Sequence, residues 1–224
     1  MAYKTQIGNL TCLWARNEES TRIIYVLSPL EATGKWVDDA SKRYDSSLVV
    51  ITGMDWDNDL TPWPAPGVPA GSPDFKGLAA EFLATLRSDV IPKINDLMGI
   101  NHKDYEYDLL GISLSGLFTL WQWVECDLFR SIASISGSFW YEGFTEWLSK
   151  QKIPHKQGRA YFSLGDQESK SPVPEFRSVG EDTESVISTL KSNGISTEFR
   201  SVRGNHFQYG NERLEMALEF LSKS

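Results

Sequence analysis

Short runs rich in β-branched and aromatic residues alternate with segments of helical spacing along the whole chain. Six runs read as strands: RIIYVLS (22–28), SLVVITG (47–53), YEYDLLGIS (105–113), FRSIASISG (129–137), RAYFSLG (159–165) and STEFRSV (196–202). Between them lie segments with helical periodicity. FKGLAAEFLATLRSDVIPKINDLM (75–98) spaces Leu78, Phe82, Leu86 and Val90 along one face, and Pro92 is placed to kink or end its first part. LSGLFTLWQWV (114–124), EGFTEWLSK (142–150), EDTESVISTLKSNG (181–194) and NERLEMALEFLSK (211–223) read as further helices. Such alternation implies βαβ units: an α/β fold with a mostly parallel central sheet and helices on both faces. No repeat or shift in composition divides the chain, so one domain over residues 1–224 is expected. Ligands of such sheets bind beyond the carboxyl ends of the strands, which is where chemistry should be sought.

The segment GISLSG (111–116) sits at one such end. A sharp strand-to-helix turn that exposes a serine needs small residues two before and two after it, as in G-x-S-x-G. Centred on Ser113, the flanks are Gly111 and Ser115, both small. Centred on Ser115, they are Ser113 and the bulky Leu117, so Ser113 is the candidate nucleophile. A serine hydroxyl needs a base. The chain has three histidines. His102 and His155 lie in polar connections that lead into strands, at the wrong ends of them. His206, in VRGNHFQYG, follows the strand 196–202 and is the candidate base. The third member should be a carboxylate after the preceding strand, where YFSLGDQESK offers Asp166 and Glu168. Spacing alone does not choose between them. The order Ser, acid, His matches one known arrangement of the triad. An oxyanion hole needs two backbone N–H donors. Leu114 should supply one, and Met54 or its neighbour Asp55, after the strand 47–53, the other.

Other features set limits. The net charge of −8 disfavours nucleic acid as a partner. Two cysteines, Cys12 and Cys126, with no CxxC pair and no Cys/His cluster, give no zinc site or disulfide framework. Asp55, Asp57 and Asp59 have D-x-D-x-D spacing, but Leu60 and Pro66 stand where a calcium loop requires Gly and Glu, so no metal is expected. The N-terminus lacks the basic and long apolar regions of a secretory signal, and no apolar run is long enough to span a bilayer. The expectation is a cytoplasmic protein that engages no membrane. The connection MDWDNDLTPWPAPGVPAGSPD is long, with five prolines between Pro62 and Pro73, and such loops are often functional. Trp56 and Trp63 in it, Phe139 and Trp140 after the strand 129–136, and Phe207 beside His206 are candidate substrate-wall residues by position.

With these residues in this order the chain resembles the enterochelin esterase-like and esterase D-like branch of the α/β-hydrolases. The resemblance rests on IIYVLSPLEATGKW, NDLTPWPAP, GISLSGLF, SLGDQES and GNHF, and covers nearly the whole chain. The family elbow usually reads G-H-S-x-G-G; here Ile112 replaces the His and Ser115 the first Gly of the pair. Relatives place the acid in a G-x-x-[ED] pattern, which falls on Glu168 and leaves Asp166 as the alternative. The resemblance implies a serine esterase acting on a small-molecule carboxylic ester through an acyl-enzyme, with no cofactor. Alternatives on the same fold are an acyltransferase and an inactive or binding relative. The connection between Gly137 and Arg159 is too short for a large lid, which implies an open site for short or planar acyl groups.

Overall fold

The structure is a computed structural model that describes residues 1–153 and 157–223. His155 lies outside the described residues. The chain forms an eight-stranded sheet in the order β1-β2-β4-β3-β5-β6-β7-β8. Six strands follow the runs read from the sequence: β3 (Arg22–Leu27), β4 (Ser47–Thr52), β5 (Glu106–Ile112), β6 (Ile132–Ile135), β7 (Ala160–Gly165) and β8 (Thr197–Val202), all mutually parallel. Two were not anticipated. β1 (Tyr3–Ile7) and β2 (Leu10–Ala15) form an antiparallel hairpin that β2 joins to β4. Gly8, at φ +60°, makes the two-residue turn with Asn9, and Cys12 and Trp14 alternate inward behind it.

Burial explains why the parallel strands read as unbroken apolar runs. Ile23, Tyr25 and Leu27 of β3 face one core, and Ile24 and Val26 face the other. A parallel strand covered on both faces has no polar side to show. The larger core packs α2 (Ala79–Thr85), α3 (Ile91–Met98), α4 (Leu114–Glu125), α5 (Phe144–Ser149) and α6 (Val179–Ser192) against the sheet. The smaller one packs α1 (Gly34–Arg43) and α7 (Gly210–Ser222) on the opposite face. α1 was not expected from its sequence; Thr33 caps it, its hydroxyl accepting the Trp36 N–H. The predicted helix 75–98 starts at Ala79 and is interrupted by a π-helical turn, Leu86–Val90, just ahead of Pro92. The π-helical turn thus falls just where Pro92, which lacks an N–H, breaks the regular ladder.

At the carboxyl end of β5 the chain folds back so closely that a Cβ on Gly111 would stand 2.1 Å from the carbonyl oxygen of Ser115. Only backbone could move to relieve that contact. Gly111→Ala should therefore destabilise the protein by roughly 2–4 kcal/mol, read by urea unfolding.

The opposite end of the same strand holds a buried carboxyl. Asp108 accepts the Ser131 N–H (2.8 Å) and pairs with Arg22 Nε (3.4 Å), with Glu106 and Arg130 close by. Burial pushes it up to about 7, although the Ser131 N–H and Arg22 pull the other way. A carboxyl whose folded pKa is raised contributes stability that is present at acid pH and lost as pH rises through the folded value. Its contribution should therefore fall as pH rises from about 4 to about 7. Asp108→Asn, which keeps the acceptor for Ser131, should flatten the slope of unfolding free energy over that interval.

Candidate active site

Ser113 occupies the turn between β5 and α4 with φ +60° and ψ −122°. A non-glycine residue is strained there, and the surroundings hold it. Its N–H donates to Ile135 O (2.9 Å), and its carbonyl accepts the N–H groups of Leu117 and Ser138 (both 3.1 Å). Gly116 lets α4 approach β6: a Cβ there would meet Ser134 Oγ at 2.6 Å. Ser115, in place of the usual glycine, is fully buried. Its Oγ accepts the Ile112 N–H (2.7 Å) and lies within hydrogen-bond reach of the carbonyls of Ile112 (2.9 Å) and Leu27 (3.0 Å). That hydroxyl ties the end of β3 to the turn, and Ser113, not Ser115, lines the adjoining cavity.

Three strand ends bring side chains to this point. His206 lies between β8 and α7, with Nε2 3.1 Å from Ser113 Oγ and Nδ1 2.8 Å from Glu168 Oε2. Glu168 follows β7 and is almost wholly buried. Burial pushes its carboxyl up, but hydrogen bonds from His206, the Gly165 N–H and Ser136, with the charge of His206, outweigh it and hold it below the usual range. An ionised carboxylate can only accept, so Nδ1 carries the imidazole proton and Nε2 presents its lone pair to the serine hydroxyl. Asp166 serves elsewhere: its Oδ1 accepts the Gly204 N–H (2.9 Å) and so shapes the loop that carries His206. His102 lies ahead of β5, at the far end of that strand, stacked on Tyr107.

Ser113 opens onto a cavity of about 610 Å³. Of the aromatic candidates, Trp56, Trp140 and Phe207 line it, and Trp63 and Phe139 do not. Phe139 is buried between Phe144 and Phe162, because its neighbour Ser138 takes the cavity side of the turn. Trp63 packs against Tyr141, Phe144 and Trp147, and its indole N–H donates to Glu142 O (2.9 Å). Leu114 lines the cavity as the first residue of α4, where the N–H has no intrahelical partner. Met54 is buried and outside the lining. It follows β4, and β3 stands between β4 and β5, so the segment flanking the elbow is the one after Leu27. There the Leu30 N–H donates to Ser28 Oγ (3.1 Å). The Asp55 N–H is held by Asp59 Oδ2 (2.8 Å).

Three contributors were missed from the sequence. The segment after β7 forms two 3₁₀ turns, Glu168–Lys170 and Pro174–Ser178, and Val173 and Phe176 from it line the cavity, with the Phe176 ring 4.6 Å from that of Trp140. Ser136, at φ +49°, donates to Glu168 Oε1 (2.7 Å). Arg213 reaches the same oxygen from α7 (2.9 Å). The signal for Arg213 was its spacing from Ala217 and Phe220 on the inward face of a helix.

Among the described residues no group of three His, Cys, Asp or Glu side chains is arranged to hold a metal ion. No described helix is long and apolar enough to cross a membrane. No family model matches the chain. An uncharacterised Bacillus subtilis protein, YbbA, is 28% identical over 184 residues, 77% of this chain and 73% of that one. Among solved structures, the siderophore hydrolase EstA of Aspergillus nidulans superposes with a TM-score of 0.73 at 17% identity, over 100% of this chain and 94% of that one. The enterobactin esterase FES of Shigella flexneri superposes with a TM-score of 0.74 at 16% identity, over 100% of this chain and 59% of that one. The chain thus has the fold of these solved structures, an α/β-hydrolase fold with an eight-stranded, mostly parallel sheet.

Proposed function

We propose that the protein is a serine esterase that cleaves small-molecule carboxylic esters. The observation that carries this reading is the unbroken hydrogen-bonded run from Ser113 Oγ through the His206 ring to Glu168 Oε2, at the mouth of an apolar cavity. Ser113 attacks the acyl carbonyl as His206 Nε2 takes its proton. The same imidazolium returns the proton to the leaving alcohol, and Glu168 stabilises it throughout. The Leu114 N–H points the helix terminus at the developing oxyanion. Water, activated by His206, then releases the acid and restores Ser113.

The cavity wall supports a planar acyl group. Trp140 and Phe176 make a tilted pair on one side, with Trp56 and Phe207 also in the lining. Flat substrates gain contact area against such rings without ordering many torsions. The siderophore hydrolase and enterobactin esterase neighbours favour ester chemistry on the same fold, and the triad geometry supports it independently.

Intact-mass analysis after fluorophosphonate treatment tests the reading. The wild type should take up one adduct, mapped to Ser113, and Ser113→Ala should take up none. An adduct on Ser115, or none on the wild type, would sink it. With an activated aryl ester, Glu168→Gln should lower kcat/KM by roughly 10³–10⁴-fold while the fold persists, and Asp166→Asn by far less.

A further inference from the structure

Arg213 lies in the first turn of α7 and faces the sheet with Ala217, Leu218 and Leu221. It is 1% exposed. Its Nη1 donates to Glu168 Oε1 (2.9 Å) and to Ser136 Oγ (2.7 Å). Its Nη2 donates to the carbonyl of Asn205 (2.8 Å), the residue before His206. Glu168 Oε1 also receives the Gly165 N–H and the Ser136 hydroxyl, each at 2.7 Å. One carboxylate oxygen thus has three donors, one of them cationic. The other is left to His206 alone.

A buried Arg–Glu pair is not explained by stability, since desolvating both charges offsets most of their attraction. The geometry of this one has a more specific consequence. A guanidinium is a rigid fork, and here its two nitrogens grip two different loops. One holds the acid after β7. The other holds the segment that carries the base. We propose that Arg213 is a positioning residue for the Ser113–His206–Glu168 arrangement: it keeps Glu168 ionised and turned toward His206, and it pins the His206 loop through Asn205. This rests on the esterase reading for its catalytic meaning, but the charge coupling exists in the resting protein and can be measured there.

Removing a buried cation makes the Glu168–His206 pair hold its proton more tightly. The other charged groups near the pair are Asp166 on the Gly204 N–H, Lys170 on Gln167, Arg203 stacked on Tyr209, and Asp57 in the cavity lining; all stay unchanged. The test is an NMR titration with ¹⁵N-labelled histidine. The chain has only three histidines, so the His206 signal is identified by its loss in His206→Ala. In Arg213→Met the titration midpoint of the pair should move up by roughly one pH unit. Arg213→Lys should bring the midpoint most of the way back, because the charge returns. Lys cannot grip both loops, so its fluorophosphonate labelling should remain roughly tenfold slower than wild type.

A folded Arg213→Met with an unmoved midpoint would overturn the proposal and reduce Arg213 to packing. So would an Arg213→Lys protein that labels at the wild-type rate, a result that stands even if the Met variant does not fold. Because the titration needs no substrate, a wild type that fails to label sinks the esterase reading while the midpoints still decide the role of Arg213.

Discussion

At Ser113 the chain leaves β5 and enters α4 through a backbone conformation that costs a non-glycine residue roughly 1–3 kcal/mol. Everything around the turn is arranged to hold it. Gly111 yields its Cβ space to the Ser115 carbonyl, and Gly116 yields space to β6. Ile135 takes the Ser113 N–H, and Ser138 donates to the Ser113 carbonyl. Ser115 adds a contact that glycine could not: its buried hydroxyl lies between the end of β3 and the start of the turn. The departure from the usual elbow sequence is therefore a different way of fastening the same turn. The strain is offset by hydrogen bonds drawn from β3, β5 and β6, which fasten the half-buried serine to the sheet beneath it.

The two ends of the sheet show how the same side-chain chemistry is tuned in opposite directions. Asp108 and Glu168 are both buried carboxyls, each near an arginine. Asp108 receives one backbone N–H and a distant Arg22 Nε, and burial dominates. Glu168 receives the Gly165 N–H, the Ser136 hydroxyl, Arg213 and His206, and the donors dominate. Asp108 is the more deeply buried of the two, and Glu168 has the more numerous and closer donors. A carboxylate that must remain charged beside an imidazole needs the second environment, and the strand ends after β6 and β7 provide it. Sites at carboxyl strand ends can do this because several loops converge there, each bringing unpaired N–H groups.

Much of this was legible in the chain. The inner parallel strands announce themselves as largely apolar runs because both their faces are covered, whereas β8, at the sheet edge, is mostly exposed and reads through its β-branched and aromatic residues. The strand-end rule directs attention to the ends of β5, β7 and β8, where the structure has Ser113, Glu168 and His206 in hydrogen-bond contact. What escaped reading has physical causes. The β1–β2 hairpin is half-exposed, so its alternation is diluted by polar residues. α1 buries only Val37, Ala40 and Ser41. Phe139 and Trp63 were misassigned because position after a strand does not say which way a side chain points in a turn. Met54 was favoured because strand order in space cannot be read from strand order in sequence: β3 and β4 exchange places in the sheet. Arg213 looked like an ordinary charged residue early in a helix.

The division of labour between strand ends and loops also bears on what the site can select. Ser113, Glu168 and His206 follow the ends of β5, β7 and β8. The cavity wall comes instead from connecting segments: Trp56 after β4, Trp140 after β6, Val173 and Phe176 in the turns after β7, Phe207 after β8. Phe207 is 92% exposed even though its backbone N–H is fixed by Asn205 Oδ1. Its ring meets the His206 ring edge-on, centroids 5.1 Å apart, and is otherwise open to water. Trp140 and Phe176, by contrast, pack against each other on one side of the cavity. The segments that line the cavity are thus distinct from those that hold the turn at Ser113 and supply the four donors around Glu168.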